Sequence, residues 1–197
     1  MSLEIVGRTR QVVEKIGIIK NFNNGKTIDN QKLIDQIVAH DKLLRTPLSK
    51  INQSIDWEMH QYSDEFKNLS KTIIRDGVIP YLRRYYENDE ETVTQVERRK
   101  YITCAMWSTG YRGNNQDKIT SHSHPGYYVS YCYYLQTPTG SPPLVFDELQ
   151  ITVDPEPAML VLFRGDYFHH VPASIHKESR IAICGNIIAV QPQVTFS

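Results

Sequence analysis

The sequence predicts an α+β fold, a jelly roll of short antiparallel strands with helices ahead of it in the chain. Three observations point there. Apolar residues recur at helical spacing in segments between Asp29 and Tyr86, and the period changes to two from Tyr101 onward. The second half breaks into short apolar runs separated by Gly and Pro, with no helical stretch between them, the pattern of a sandwich or barrel. Charge divides the chain at the same place: residues 1–100 carry 17 Lys/Arg and 15 Asp/Glu, and residues 101–197 carry 5 and 7. A length of 197 residues suits one domain over 1–197, mostly helical over 1–100 and with the main strands over 101–197.

The elements follow in order. Glu4 to Lys20 alternates apolar residues and supplies one or two strands. Asp29 caps a helix whose apolar face is Leu33, Ile34, Ile37, Val38 and Leu44, with Pro47 as a stop. Ser63 caps a second helix with Phe66, Leu69, Ile73 and Ile74 on one face and Asp64 and Glu65 at the positive end of its dipole. Gly77 and Pro80 break that helix or restart it through Tyr81 to Tyr86. The charged stretch Glu87 to Lys100 reads as a solvated loop or helix end. Strands are expected at Tyr101–Trp107, Tyr127–Leu135, Leu144–Phe146, Leu149–Val153, Met159–Phe163, Arg180–Val190 and Val194–Phe196. Gly110, Gly113, Pro138, Gly140, Pro142, Pro143, Pro155 and Pro157 form the turns.

Composition removes several functions. The net charge is zero, which gives no electrostatic case for nucleic acid or an anionic membrane. No apolar run approaches the ~20 residues that span a bilayer. The N-terminus, with Glu4, Arg8 and Arg10, lacks the layout of a signal peptide. Cys104, Cys132 and Cys184 are an odd number in apolar surroundings, which reads as buried thiols in a reducing cytoplasm. There is no Cys-x-x-Cys to hold a structural zinc.

Chemistry concentrates in the charge-poor half, which holds five of the seven histidines. His122 and His124 are two apart, so on a strand both face one side and both can reach one ion. His169 and His170 follow the apolar run Met159 to Phe163 and a turn at Arg164–Asp166, where strand ends form the mouth of a barrel. Three convergent neutral imidazoles suit iron, copper, zinc or nickel. Arg180 opens the apolar run Arg-Ile-Ala-Ile-Cys and needs an anion if it faces inward. Its planar fork matches a carboxylate, either of a small acid or of Asp147, Glu148 or Asp166. Trp107, Tyr127, Tyr128 and Tyr131 read as core or pocket wall, and His40, His60 and His176 as surface residues. His170 alternates away from His169, toward solvent or behind the site.

The ordered set His122-x-His124-Pro125, Tyr133-Tyr134-Leu135, Phe163 with His169 six residues on, and Arg180-Ile-x-Ile-x-x-Asn186 resembles the iron(II)- and 2-oxoglutarate-dependent dioxygenase superfamily. It is most similar to the small 2-oxoglutarate–Fe(II) oxygenases of bacteria and cyanophages, and more distantly to prolyl hydroxylases. The motifs run from Trp107 to Asn186. The resemblance implies a double-stranded β-helix with N-terminal helices packed on one sheet. It implies Fe(II) as metal, and 2-oxoglutarate, oxygen and an unidentified substrate as partners. It implies hydroxylation coupled to decarboxylation of 2-oxoglutarate to succinate. His122 and His169 would bind iron, Arg180 the far carboxylate of 2-oxoglutarate, and Tyr134 would assist the arginine while Tyr133 faces the other way. Asn186 matches a family asparagine at the cosubstrate site.

One departure leaves alternatives open. The superfamily places a carboxylate two residues after the first histidine, and here that residue is His124. The preferred frame uses His122, His124 and His169 as metal ligands. A shifted frame makes His124 the first ligand and Gly126 an open position, as in related halogenases. A third takes the carboxylate from Asp166. Two other functions compete: a cupin-type three-histidine dioxygenase without 2-oxoglutarate, and a non-catalytic jelly-roll binding module. The first lacks the glutamate expected after the histidine pair and gives Arg180 no task.

Overall fold

The computed structural model describes residues 3–6, 16–22, 27–44, 52–53, 57–111, 118–173 and 179–190. It is an α+β structure with helices and two antiparallel sheets. Strands β1 (Leu3–Val6) and β2 (Ile16–Ile19) pair with each other, as the alternation over Glu4 to Lys20 predicts. Helix α1 (Asn30–Leu44) starts where Asp29 accepts the Lys32 N–H at 3.0 Å. A two-residue strand β3 (Asn52–Gln53), without a sequence signal, follows. Helix α2 (Asp64–Thr72) is capped by Ser63, whose Oγ accepts the Phe66 N–H at 3.4 Å.

Gly77 and Pro80 do not break the helix. A wide π turn over Ile73–Val78 leads directly into α3 (Ile79–Tyr85). The Ile79 N–H reaches back to the Ile74 carbonyl, and this looser winding passes into Pro80, which has no N–H to donate. Gly77 faces the sheet, where a Cβ would lie 2.7 Å from a Leu160 methyl. The stretch Glu87 to Lys100 is more ordered than its charge suggests. It forms α4 (Glu90–Arg98), with Asp89 accepting the Thr92 N–H at 3.0 Å and Val96 fully buried.

The remaining strands are β4 (Lys100–Tyr111), β5 (Ile119–His122), β6 (Val129–Gln136), β7 (Leu144–Phe146), β8 (Ile151–Val153), β9 (Leu160–Phe163), β10 (His169–Val171) and β11 (Arg180–Val190). Six of the seven expected strands are present, Leu144–Phe146 and Arg180–Val190 with the expected ends and the other four with shifted ends; Val194–Phe196 lies outside the described residues, as do Pro47, Gly113 and His176. One sheet runs β1-β2-β9-β6-β11-β4-β3 and the other β5-β10-β7-β8.

Two cores separate the layers. Leu33, Phe66, Leu69 and Ile73 from the helices pack against Tyr131, Tyr133, Leu162 and Ile183 on one face of the seven-stranded sheet. Tyr134, Val161, Phe163 and Ala182 on its other face meet Leu144, Phe146 and Val171 of the smaller sheet. Because both faces of β6, β9 and β11 are covered, these strands read as nearly continuous apolar runs.

Leu69 is fully buried between helix and sheet. Leu69→Ala is expected to cost about 2–5 kcal/mol, seen as a lower denaturation midpoint with an unchanged slope. A change below ~0.5 kcal/mol would mean that the helices do not hold this sheet.

Candidate metal centre

The centre is built where β5 meets β10. His122 closes β5 and His169 opens β10, and the antiparallel register sets them directly opposite. Opposite positions on paired strands hold their Cβ atoms about 4.5–5.5 Å apart. The two rings accordingly lie 4.4 Å apart between centroids. His124 is not on the strand. It sits past its end, where its N–H donates to the Gly165 carbonyl at 2.6 Å and its own carbonyl accepts the Tyr127 N–H at 3.3 Å. That turn folds its ring back to 4.9 Å from His122 and 5.2 Å from His169. One donor nitrogen from each of the three rings lies within 4.8 Å of the other two.

The ring orientation suits a metal. A carbonyl oxygen only accepts, so the Nδ1–H of His122 donates to Thr120 at 2.8 Å and that of His169 to Tyr167 at 2.9 Å. Both rings then keep Nε2 as the free acceptor, the arrangement that orients a ligating histidine. Burial pushes His169 down to about 3. Burial, and next the neighbouring His122, pushes His124 down to about 4. Both rings are therefore neutral near pH 7, the form that binds a metal. Phe163 packs on His169 and Trp107 on His124, with centroids at 4.7 and 5.7 Å.

Gly126 and Asp166, the residues that the two other frames bring in, stand outside the cluster of three rings. Gly126 has φ 92° and lies in the turn, on a second cavity with Asp166, away from the three rings. Asp166 is engaged by Arg164 at 3.0 and 2.7 Å. The expectation that His122 and His124 share one strand face fails because the strand ends at His122 and the chain turns at Pro125-Gly126.

A cavity of about 350 Å³ opens from the imidazoles into the space between the sheets, and Arg180 lines it with only 2% of its surface exposed. The guanidinium carbon stands 4.9 Å over the Tyr134 ring. Tyr133 faces the helices, and its hydroxyl donates to the Asn30 side chain at 2.8 Å. Asp147, one of the acids that the sequence offers to Arg180, lies instead 2.9 Å from His170 Nδ1. His170 points away from the three rings, as alternation requires. Asn186 is fully buried and accepts from the Ser130 hydroxyl at 2.8 Å; Ser130, not Asn186, lines the cavity.

Sequence reasoning missed part of the wall. Trp57 lines the cavity, 47% exposed, and stacks on Trp107 at 5.2 Å. It is an isolated aromatic residue in the charged half and gave no periodic signal. The stretch from Thr109 to Thr120, by contrast, reads from the sequence as a loop near the site mouth that shapes the substrate pocket, and Thr109, Lys118 and Thr120 do line the cavity. His40 and His60 are half-buried rather than on the surface, and His40 packs on Tyr62 at 4.6 Å. Trp107 and Tyr131 line the cavity, Tyr131 also belonging to the core, while Tyr127 and Tyr128 line the second cavity.

No protein-family model and no curated protein sequence matches the chain. Solved structures do. The viral collagen prolyl hydroxylase of Paramecium Bursaria Chlorella virus-1, in its 2-oxoglutarate complex, aligns with a TM-score of 0.58 at 14% identity, covering 89% of this chain and 96% of that one. A Pseudomonas putida prolyl-4-hydroxylase aligns at 0.59 and 14% identity, covering 89% and 92%. The epimerase SnoN, in complex with Fe3+, α-ketoglutarate and nogalamycin RO, aligns at 0.63 and 7% identity, covering 93% and 83%. The chain shares the fold of these enzymes. At such identities the likeness is one of fold, and what the site does must be argued from its own residues.

Gly165 tests the geometry of the third imidazole. A Cβ there would fall 2.5 Å from the Tyr127 carbonyl oxygen and 2.6 Å from that of His124, both backbone atoms. Gly165→Ala is expected to push the His124 turn outward and to weaken binding of ferrous ion or its cobalt substitute about tenfold or more. Anaerobic titration of the variant measures this; wild-type affinity would show that the contact does not set the centre.

Proposed function

We propose that the chain is an iron(II)- and 2-oxoglutarate-dependent dioxygenase that hydroxylates its substrate as 2-oxoglutarate is decarboxylated to succinate. We read it as a single domain over residues 1–197, its two sheets forming a double-stranded β-helix with the helices on one of them. The observation that carries the proposal is that three imidazoles and one buried arginine open on the same cavity. The donor set fits iron(II): imidazole is a good ligand for it, and His122, His124 and His169 would hold the ion at the mouth of the cavity.

Each residue has a task. His122, His124 and His169 hold the ion, the first and last through Nε2, because their Nδ1 protons are spent on carbonyls. Iron with 2-oxoglutarate supplies the oxidising chemistry when both are bound. Arg180 takes the far carboxylate of the cosubstrate in a bidentate pair, and the Tyr134 ring fixes the guanidinium from one face. Burying a guanidinium is costly without an anion, and the low dielectric of the cavity strengthens the pair once formed. Trp107, Phe163, Leu144 and Val171 exclude water from the reacting centre. Neighbours of the same fold bind 2-oxoglutarate or iron, which supports this reading of the cavity. None of the described helices is long and apolar enough to cross a membrane. The three free cysteines accord with a cytoplasmic setting.

A cupin-type dioxygenase without 2-oxoglutarate also draws on the all-histidine centre, and Arg180 discriminates. Succinate release from 2-oxoglutarate with ferrous ion tests the proposal directly; absence of release, with iron bound, would contradict it. Arg180→Ala is expected to keep iron and to weaken 2-oxoglutarate by one to two decades, since loss of a charge-assisted pair costs about 1.5–3 kcal/mol. Unchanged affinity in a titration of the iron-loaded variant would favour the cupin reading.

His124→Asp is expected to retain iron, because a carboxylate at that turn restores the common two-histidine, one-carboxylate set. Gly126→Asp is expected to leave iron content unchanged, because position 126 faces the second cavity. Loss of iron in the first variant together with gain of turnover in the second would restore the shifted frame.

A further inference from the structure

We propose that Cys132 and Cys184 form a dithiol site on the cavity wall that a small hydroperoxide converts to a disulfide. The two residues are directly opposite on β6 and β11, and their sulfur atoms are 3.5 Å apart. Both line the cavity that holds the three imidazoles, so a small reagent has a route to them. They are free thiols, and the Thr109 hydroxyl lies 3.9 Å from the Cys184 sulfur. Opposite positions on antiparallel strands bring Cβ atoms within about 4.5–5.5 Å, close to the span of a disulfide, so a small side-chain rotation closes the bond to about 2.05 Å. The third cysteine is placed differently. The Cys104 sulfur lies 3.3 Å from the Asn186 carbonyl and is not on the cavity wall.

The chemistry needs one thiolate and one resolving thiol. Cys132 is the attacking residue: a hydrogen bond from Cys184 lowers its pKa, burial opposes this, and the positive field of Arg180 adds to the lowering. Its sulfur attacks one peroxide oxygen and the O–O bond breaks, giving a sulfenic acid; the departing hydroxide takes up the proton and leaves as water. The Cys184 sulfur then attacks the Cys132 sulfur, the S–S bond forms and hydroxide leaves, taking the Cys184 proton as a second water. Two thiols lose two electrons in total, and one hydroperoxide is reduced. With hydrogen peroxide both products are water. The site does not depend on the dioxygenase reading, since it uses neither iron nor 2-oxoglutarate.

The test uses the full chain, folded, with a metal chelator present to suppress iron-driven side reactions. After hydrogen peroxide and then denaturing alkylation, the alkylated cysteines are expected to fall from three to one, Cys104, with a peptide linking positions 132 and 184 that a dithiol reductant dissolves. Cys184→Ser is expected to leave no such link. A second probe needs no variant: phenylarsine oxide, which bridges paired thiols, is expected to bind one per reduced chain and none after oxidation. Three alkylated cysteines after peroxide, a link between chains in place of the internal one, or no arsenical bound to the reduced protein would each overturn the proposal.

Discussion

The pairing of β5 with β10 is the constraint on which the centre depends. It sets His169 opposite His122 although nearly half of the strand-rich part of the chain lies between them. No local pattern could bring two such rings within 4.4 Å of each other; the antiparallel register does. The same two segments are joined again beyond the strand end, where the His124 N–H meets the Gly165 carbonyl. One zipper thus places all three imidazoles, and each ring is oriented by contacts outside the triad: carbonyls at Thr120 and Tyr167, and the Trp107 face.

The second constraint is that β6 and β11 are buried on both faces. The helices cover one face, with Tyr133 and Ile183 in that core. This leaves the other face free to line the cavity with Cys132, Cys184 and Arg180, with Tyr134 under the guanidinium. Burial has chemical consequences. It pushes His169 and His124 toward the neutral form and strengthens any pairing of Arg180 with an anion. The helices touch none of the reacting groups, yet without them the seven-stranded sheet would be wet on one side and its strands free to slip.

Much of this was legible in the sequence, because the signals were periodic or chemically rare. Period-two runs located six strands, and the caps at Asp29 and Ser63 located two helices. Alternation told Tyr134 from Tyr133 and His169 from His170. Three kinds of feature were not legible. Strand β3 has only two residues, and β5 and β10 carry a single apolar residue each, so no apolar run marks them. The π turn at Ile73–Val78 preserved a helix through Gly77 and Pro80, residues that normally end one. The charge of Glu87 to Lys100 hid an amphipathic helix anchored by a single buried valine. His124 lies with His122 and His169 through a turn, not through the strand alternation that the His-x-His spacing suggested. Trp57 was missed because its partner, Trp107, is distant in sequence.

The central claim is that one ion sits among three imidazoles and no carboxylate, with the cosubstrate anchored on Arg180. A crystal structure grown anaerobically with ferrous ion and 2-oxoglutarate, with anomalous data collected at the iron edge, addresses it most directly. The expected result is a single iron peak bonded to His122 and His169 through Nε2 and to His124, with the far carboxylate of 2-oxoglutarate on the Arg180 guanidinium. An iron peak lacking any one of the three rings, one completed by a carboxylate side chain, or a cosubstrate bound away from Arg180 would contradict the account.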